Sequence, residues 1–511
     1  MICVKIPKTE NGKPLAHYLR ENGYTLPMPC GGSGRCGNCR VKVTQGVFSD
    51  VESPHNPLIP DENGMIRACR ALCPPEGGTV EIPEFSGQGM NADFANHKNE
   101  KPDSSASYGL ALDVGSTTLV LQLTNLQTGE CEGRVSRLNP QQAYGADVMT
   151  RIEACQKGLL EEMRRGLLRV VEEMIRDVCR ASTAGSEDLP LTVAGNTVMQ
   201  HIFMGESPCG MASYPFTPSF LQTRHTLGRE IGLPCGEITV LPGCSAFIGA
   251  DITAGLVTCG MAKDYQNGSS RIELLTDWGT NGETVLLANG RLYGASAAAG
   301  PAMEGGHIHC GVGGITGAVN RIFITDESKL CYTTVGDGDP VGICSSGLMD
   351  LLRILLQNGT VDESGFLEPD PYPLVGCRKI GDTIFEPAPT GLCLTGKDVR
   401  ELQLAKAAIR GAEEALLAEA GITEDEVQHV YLAGGIGKFL SVDSAVAMGL
   451  LPAIWKNRTE VVGNSALTGA VHYSLHGEDE PLYRLAAENT ETVDLNSSVV
   501  FNQRFIENMM F

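Results

Sequence analysis

Cys30, Cys36 and Cys39 are spaced C-x5-C-x2-C, with Gly31, Gly32, Gly34 and Gly37 among them. A further thiol follows in Arg67-Ala68-Cys69-Arg70, and another in Leu72-Cys73-Pro74-Pro75. An iron–sulfur cluster needs four thiolates converging within a few ångströms. One loop can supply three of them only by wrapping closely, and glycine permits the positive φ that turns backbone N–H groups toward sulfur. The pattern therefore reads as the ligand set of a [2Fe–2S] cluster, three thiolates from the loop and a fourth from Cys69 or Cys73. Structural zinc is the competing reading. Zinc sites pair their C-x2-C knuckles two and two, and a three-plus-one set around four glycines fits them poorly.

Behind this module an acidic turn occurs twice. Asp113-Val114-Gly115-Ser116-Thr117-Thr118 follows the apolar run Leu110–Leu112, and Asp277-Trp278-Gly279-Thr280-Asn281-Gly282 follows Leu274–Thr276. Asp113 and Asp277 occupy equivalent places in two strand–turn–strand patterns, so the segment reads as a once-repeated domain. A phosphate is held by backbone N–H groups of a tight turn, with an Asp holding Mg²⁺ directly or through water. Two such turns facing one another would clamp one nucleotide from both sides. In this reading Asp113 and Asp277 position Mg²⁺ and the attacking water. Gly115, Ser116, Thr117, Thr118, Gly279, Thr280, Asn281 and Gly282 line the phosphates. Gly434-Gly435, after the buried strand Val430–Ala433, packs against adenosine.

Three other patterns carry less. Gly391-Leu392-Cys393-Leu394-Thr395-Gly396-Lys397-Asp398 nearly matches the P-loop, but Asp398 replaces the Mg²⁺-binding hydroxyl, and a capped helix start at Thr395 is the reading preferred. His307-Ile308-His309-Cys310 has metal-ligand types, but it lies in a glycine-rich run without a partner pair, so a loop role is expected. Asp251 serves equally as a catalytic carboxylate or as a helix N-terminal acid. The cobalamin-ligating pattern Asp-x-His-x-x-Gly is absent, so the chain is not expected to carry a corrinoid itself.

The elements that must position these residues follow from patterning. The 511 residues are too many for one domain. Residues 1–6, Arg40–Val43 and Thr79–Ile82 read as strands and Lys13–Asn22 as a helix, giving a small module over 1–84. Residues 85–107 are rich in Gly, Asn, Asp, Lys and Ser and read as a flexible linker. Two lobes follow at 108–270 and 271–511. Leu159–Cys179 keeps a helical apolar stripe, and a long helix runs from Thr395 to about Glu419. The net charge of −22 argues against nucleic-acid binding. Eighteen cysteines, mostly scattered, suit a reducing cytoplasm rather than a disulfide scaffold. No signal peptide is expected from the N-terminal residues, and no apolar run is long enough to span a membrane.

The five-residue first gap of the thiol loop resembles adrenodoxin-like ferredoxins, and Ile66-Arg67-Ala68-Cys69-Arg70 resembles the ferredoxin fourth-cysteine segment, which favours Cys69 over Cys73. The repeated turns and the late Gly-Gly resemble the ASKHA superfamily of acetate and sugar kinases, heat-shock chaperones and actin. That resemblance implies a fold class of an α+β ferredoxin-like (β-grasp) domain followed by an α/β ASKHA ATPase of two RNase H-like lobes with ATP in the cleft.

Together the modules resemble the reductive activators of corrinoid-dependent methyltransferases and O-demethylases. Beyond the motifs above, the likeness rests on Tyr144–Ile152, Gly195-Asn196-Thr197-Val198-Met199, Ala299–Gly305, Gly342–Gly347 and Gly463-Asn464-Ser465-Ala466. The resemblance implies transfer of one electron from the cluster to the inactive Co(II) corrinoid of a partner protein, restoring Co(I) with ATP hydrolysis. For one electron each 59 mV uphill costs about 1.4 kcal/mol. A gap of about 150 mV then costs roughly 3.5 kcal/mol, within reach of a nucleotide-driven conformational change. A low-potential electron donor is implied, and a homodimer is one expected assembly. Longer relatives carry a middle domain between tether and ATPase, and here only the polar residues 85–107 intervene, which bears on partner geometry. Trp278 stands where relatives often carry a smaller aliphatic residue. Two rival functions remain: an activator of a radical dehydratase, against which the C-x5-C-x2-C loop argues, and a non-catalytic electron carrier or redox sensor, against which the two retained Asp residues argue.

Overall fold

Alternating apolar residues build the first sheet. Val4 and Ile6, Val41, and Val80 and Ile82 are buried on one face of four strands ordered Ile2–Ile6, Gly78–Ile82, Arg40–Gln45, Met65–Arg67. Helix Leu15–Glu21 closes that face with Leu15, Tyr18 and Leu19. The computed structural model describes residues 2–511 except 11, 23, 25, 27–38, 55, 62, 83–89, 95–106, 146, 182–187 and 435–439. Cys30, Cys36 and Gly435 lie outside the described residues.

The repeat inferred from the two turns is visible as topology. In the first lobe the strands Tyr108–Val114, Thr118–Asn125 and Cys131–Leu138 form an antiparallel meander. Leu191–Gly195 then adds parallel to the first strand, and Glu237–Val240 parallel to that. In the second lobe Glu273–Trp278, Gly282–Ala288 and Arg291–Ala297 form the same meander, with His429–Ala433 and then Thr459–Gly463 added in parallel. Strands buried on both faces read as continuous apolar runs, which is why Leu110–Leu112 and Leu274–Leu275 stood out in the sequence.

The helices follow their stripes. Helix Leu160–Ala181 buries Met163, Leu167, Val171, Met174, Ile175 and Val178 completely. Helix Gly396–Ala420 begins where Thr395 and Asp398 form a capping box and ends at Gly421 in the left-handed region, so the near-P-loop is a helix start. This helix packs on the second-lobe meander. A separate small sheet, built from Ala318–Ile324, Leu330–Thr334, Tyr372–Ile380 and their short neighbours, is inserted before it.

A third core joins the lobes. Ala111 and Ala194 of the first lobe share it with Leu275, Val285 and Leu287 of the second, through helices Ala250–Thr258 and Ser465–Leu475. These helices meet at glycine, since a Cβ on Gly469 would sit 2.3 Å from Ala254 Cβ. Within the segment read as a linker, Met90–Phe94 is a strand paired antiparallel to Cys131–Leu138. The linker expectation is thereby corrected for those residues. An edge strand is held by backbone hydrogen bonds and needs no apolar face of its own, so composition missed it. Among the described residues no helix is long and apolar enough to cross a membrane.

Candidate functional site

The first acidic turn is shaped by its glycine and pinned from behind. A Cβ on Gly115 would lie 2.5 Å from Thr118 O, so the hairpin closes only with glycine there. Asn139 Nδ2 donates to Gly115 O at 2.8 Å and Gln142 Nε2 to Thr117 O at 3.1 Å. The fully buried Arg151 donates to Ser116 O. Three carbonyls of the turn are thus anchored by side chains from 139–151, a segment whose Tyr144–Ile152 part had been noted only for resemblance. Thr118 begins the strand beyond the turn.

The second turn is held by Glu304. Thr280 N donates to Glu304 Oε1 at 3.1 Å and Thr280 Oγ1 to Oε2 at 3.0 Å. Gly279 N donates to Asn281 O at 3.1 Å. Between the two lobes Thr117 Oγ1 and Thr280 Oγ1 are 3.2 Å apart. The two turns, 163 residues apart in sequence, therefore meet. Gly282 lies in the strand, where a Cβ would come within 2.8 Å of Ile409, so helix packing already requires glycine at that position. Trp278 is fully buried and its Nε1 donates to Thr276 Oγ1 at 3.1 Å, so it fills the core beneath the turn. Gly434 has φ +128°, and a Cβ would lie 2.6 Å from Trp278 O; its N donates to Gly463 O at 3.0 Å.

Carboxylates converge between the turns. Asn464 caps helix Ser465–Leu475 through Oδ1 and donates from Nδ2 to Asp113 Oδ2 at 2.7 Å. Burial pushes Asp113 up to about 7, opposed by the Asn464 bond and reinforced by Asp251 and Glu304. Burial likewise raises Asp251 to about 6. Asp277 is raised well above the ordinary range by burial, then by Asp251, Asp113 and Glu304. Glu283 is raised well above it by burial, then by Asp251 and Asp277. Among the described residues no Lys or Arg offsets the charge of these four. Buried acids that destabilise one another's charged forms form the donor set that a hard divalent cation relieves, and Mg²⁺ fits it. Asp251 is an acid in the first turn of its helix, and its charge acts on Asp113, Asp277 and Glu283. Glu283, Glu304 and Asn464 were not singled out as site residues.

In the N-terminal module Cys39 leads into the strand Arg40–Gln45, and its carbonyl accepts Ala68 N at 2.9 Å. That bond brings the turn Ala68–Arg70 alongside, and Cys39 Sγ lies 3.2 Å from Cys69 Sγ. This is far outside the roughly 2.05 Å of a disulfide and close enough for both thiolates to ligate one iron, so the described pair fits a cluster. Cys73 is instead buried in the apolar core, and burial raises its thiol to about 11. Its backbone bonds Lys13 and Gly12, which makes it a packing residue.

A thiol-bearing β-grasp module ahead of a duplicated α/β fold whose paired turns gather buried acids defines a class: an iron–sulfur domain fused to an ASKHA-type ATPase. Residues 4–73 match the 2Fe-2S iron-sulfur cluster binding domain, 108–264 the RACo middle region, and 271–511 the C-terminal domain of RACo, the ASKHA domain. The corrinoid activation enzyme RamQ of Eubacterium limosum is 30% identical over 96% of this chain and 94% of its own length. The [Co(II) methylated amine-specific corrinoid protein] reductase of Methanosarcina barkeri is 26% identical over 70% of this chain and 68% of its own. A solved reductive activator for corrinoid, iron-sulfur protein superposes with a TM-score of 0.72 at 27% identity, covering 99% of this chain and 96% of that one. The chain belongs to the RACo family of reductive activators of corrinoid proteins. Residues 108–264, read as the first ATPase lobe, are the ones that match the family's middle region.

Proposed function

We propose that the protein passes one electron from its N-terminal cluster to the Co(II) corrinoid of a partner protein, giving Co(I), with ATP and water consumed to ADP and phosphate. The geometric observation that carries the nucleotide part is the meeting of the two turns at Thr117 and Thr280, beside the buried and mutually repelling Asp113 and Asp277. The corrinoid partner rests on what the relatives are named for.

Cys30, Cys36, Cys39 and Cys69 would hold the [2Fe–2S] cluster, which supplies a single transferable electron. Asp113 and Asp277, aided by Asp251, Glu283 and Glu304, would hold Mg²⁺ and orient the attacking water. The ion supplies positive charge to the phosphates. Ser116, Thr117, Thr118, Gly279, Thr280 and Asn281 would contact phosphate oxygens, and Gly434 and Gly435 would pack against adenosine. Preorganised donors of this kind act by positioning and by electrostatics. A low-potential electron donor reloads the cluster, and a reducing cytoplasm is the compartment such thiols require. A homodimer is compatible with this scheme.

Reduced protein, Mg-ATP and candidate corrinoid proteins are combined under argon, and the Co(I) absorption band is followed. Asp113→Ala should remove the band while the cluster spectrum persists. Co(I) formed by that variant at the wild-type rate would sink nucleotide coupling. ATP turnover absent with every partner would instead favour a redox sensor.

A further inference from the structure

The fold completes a ligand set that the sequence leaves unfinished. His309 and Cys310 lie in the glycine-rich loop after Pro301–Glu304, and Cys393 lies 83 residues beyond Cys310 on the strand Ala388–Leu394. One ligand atom from each of the three, an imidazole nitrogen and two Sγ atoms, falls within 4.8 Å of the others. We propose that His309, Cys310 and Cys393 bind one thiophilic divalent cation, with Zn²⁺ the best match, and leave a fourth position to water.

The chemistry of the set argues for this metal class. Two thiolates and an imidazole select borderline-soft ions over Mg²⁺ or Ca²⁺. Tetrahedral geometry with Zn–S of about 2.3 Å and Zn–N of about 2.05 Å places the sulfurs about 3.8 Å apart and the nitrogen about 3.5 Å from each, so atoms within 4.8 Å of one another need to close by about 1.3 Å at most. The half-buried thiols and the exposed imidazole leave a route for entry. Binding takes one Zn²⁺ from solution, and the two thiols release two protons to buffer.

The loop is built to present these ligands. His309 N donates to Asp398 Oδ1 at 2.7 Å, and Asp398 Oδ2 accepts Thr395 N at 2.9 Å within the cap of helix Gly396–Ala420. Cys310 O accepts Ile343 N at 2.8 Å, and Cys310 Sγ accepts Cys393 N at 3.4 Å. His307 holds φ +61°, and a Cβ on Gly311 would strike Gly305 O at 2.1 Å, so the loop closes tightly on itself. Backbone held this way sets ligand positions before metal arrives. The same loop begins at Glu304, which anchors Thr280. A cation at 309, 310 and 393 would therefore tie the nucleotide turn's support to the helix cap.

The test uses the full chain, purified anaerobically with its iron–sulfur cluster loaded. The protein is offered one equivalent of Zn²⁺ against a competing chelator, and zinc, iron and sulfide are counted after gel filtration. Wild type should retain about one zinc per chain in addition to its iron. Cys393→Ser and His309→Asn should each lower retained zinc at least tenfold, while iron, sulfide and the cluster spectrum stay unchanged. Cys209→Ser, at a thiol remote from the set, should leave zinc at the wild-type level. Cys310→Ser serves as the alternative should either first variant lose its cluster spectrum. Zinc retained equally by wild type and by Cys393→Ser and His309→Asn overturns the proposal, as does wild type that holds none. Because iron is counted separately, failure here leaves the reductive function untouched.

Discussion

Asp113 and Asp251 are the residues whose chemistry the fold changes most legibly. Each is raised by burial, to about 7 and about 6. A carboxyl whose folded pKa exceeds its unfolded value contributes stability that is complete below the unfolded pKa and is lost as pH rises through the folded one. Without a divalent cation, these groups should make the ATPase lobes lose stability as pH rises from about 4 through 7. A bound cation needs them ionised and reverses the sense. Mg²⁺ affinity should therefore climb across about pH 6 to 7 with proton release, which Mn²⁺ titration by electron paramagnetic resonance would detect. An affinity flat across that window would separate these carboxylates from the metal. Asp277→Asn should lower ATP turnover about 100-fold or more, measured as phosphate release, with little change in iron content.

The elements were readable where one physical signal dominated. The period-2 pattern at Val4 and Ile6 and the 3.6 stripe of Leu160–Ala181 each had one buried face to satisfy. Met90–Phe94 had no such signal, because edge pairing is a backbone event. Gly434 and Gly421 show how one residue type means different things in two elements. Both have positive φ, but Gly421 caps a helix with nothing within 4 Å of a built Cβ, while at Gly434 that Cβ meets Trp278 O at 2.6 Å. Gly421→Ala should cost about 1 kcal/mol. Gly434→Ala adds a backbone clash and should cost about 3 kcal/mol. Urea unfolding of the two variants side by side checks the difference, and equal costs would mean that strand Glu273–Trp278 gives way.

At the scale of the whole molecule, duplication was the feature the sequence carried best, because two copies of one turn testify to each other. The acids between the turns were another matter. Glu283 sits directly opposite Asp277 in the second hairpin, but Asp251, on a helix, and Glu304, on a short turn, share no spacing with Asp113 or Asp277, and only the tertiary fold assembles them. Cys393 was likewise noted within a false P-loop, since nothing in a chain tells which strand will lie beside His309. Where the lobes join, the crossing depends on bare backbone at Gly469, against Ala254 Cβ at 2.3 Å and Cα at 2.7 Å from a built Cβ. Neither helix can retreat cheaply, because both lie in the core shared by the lobes. Gly469→Leu should then cost about 3 kcal/mol by overpacking and spread the helices. Since Asn464 caps one of them and holds Asp113, the spread moves Asp113 together with the lobe contact at Thr117 and Thr280. ATP affinity should fall at least tenfold, and calorimetry should show the lobes melting separately, while the N-terminal cluster spectrum is unchanged. Wild-type nucleotide affinity in that variant would show that the cleft does not depend on this crossing.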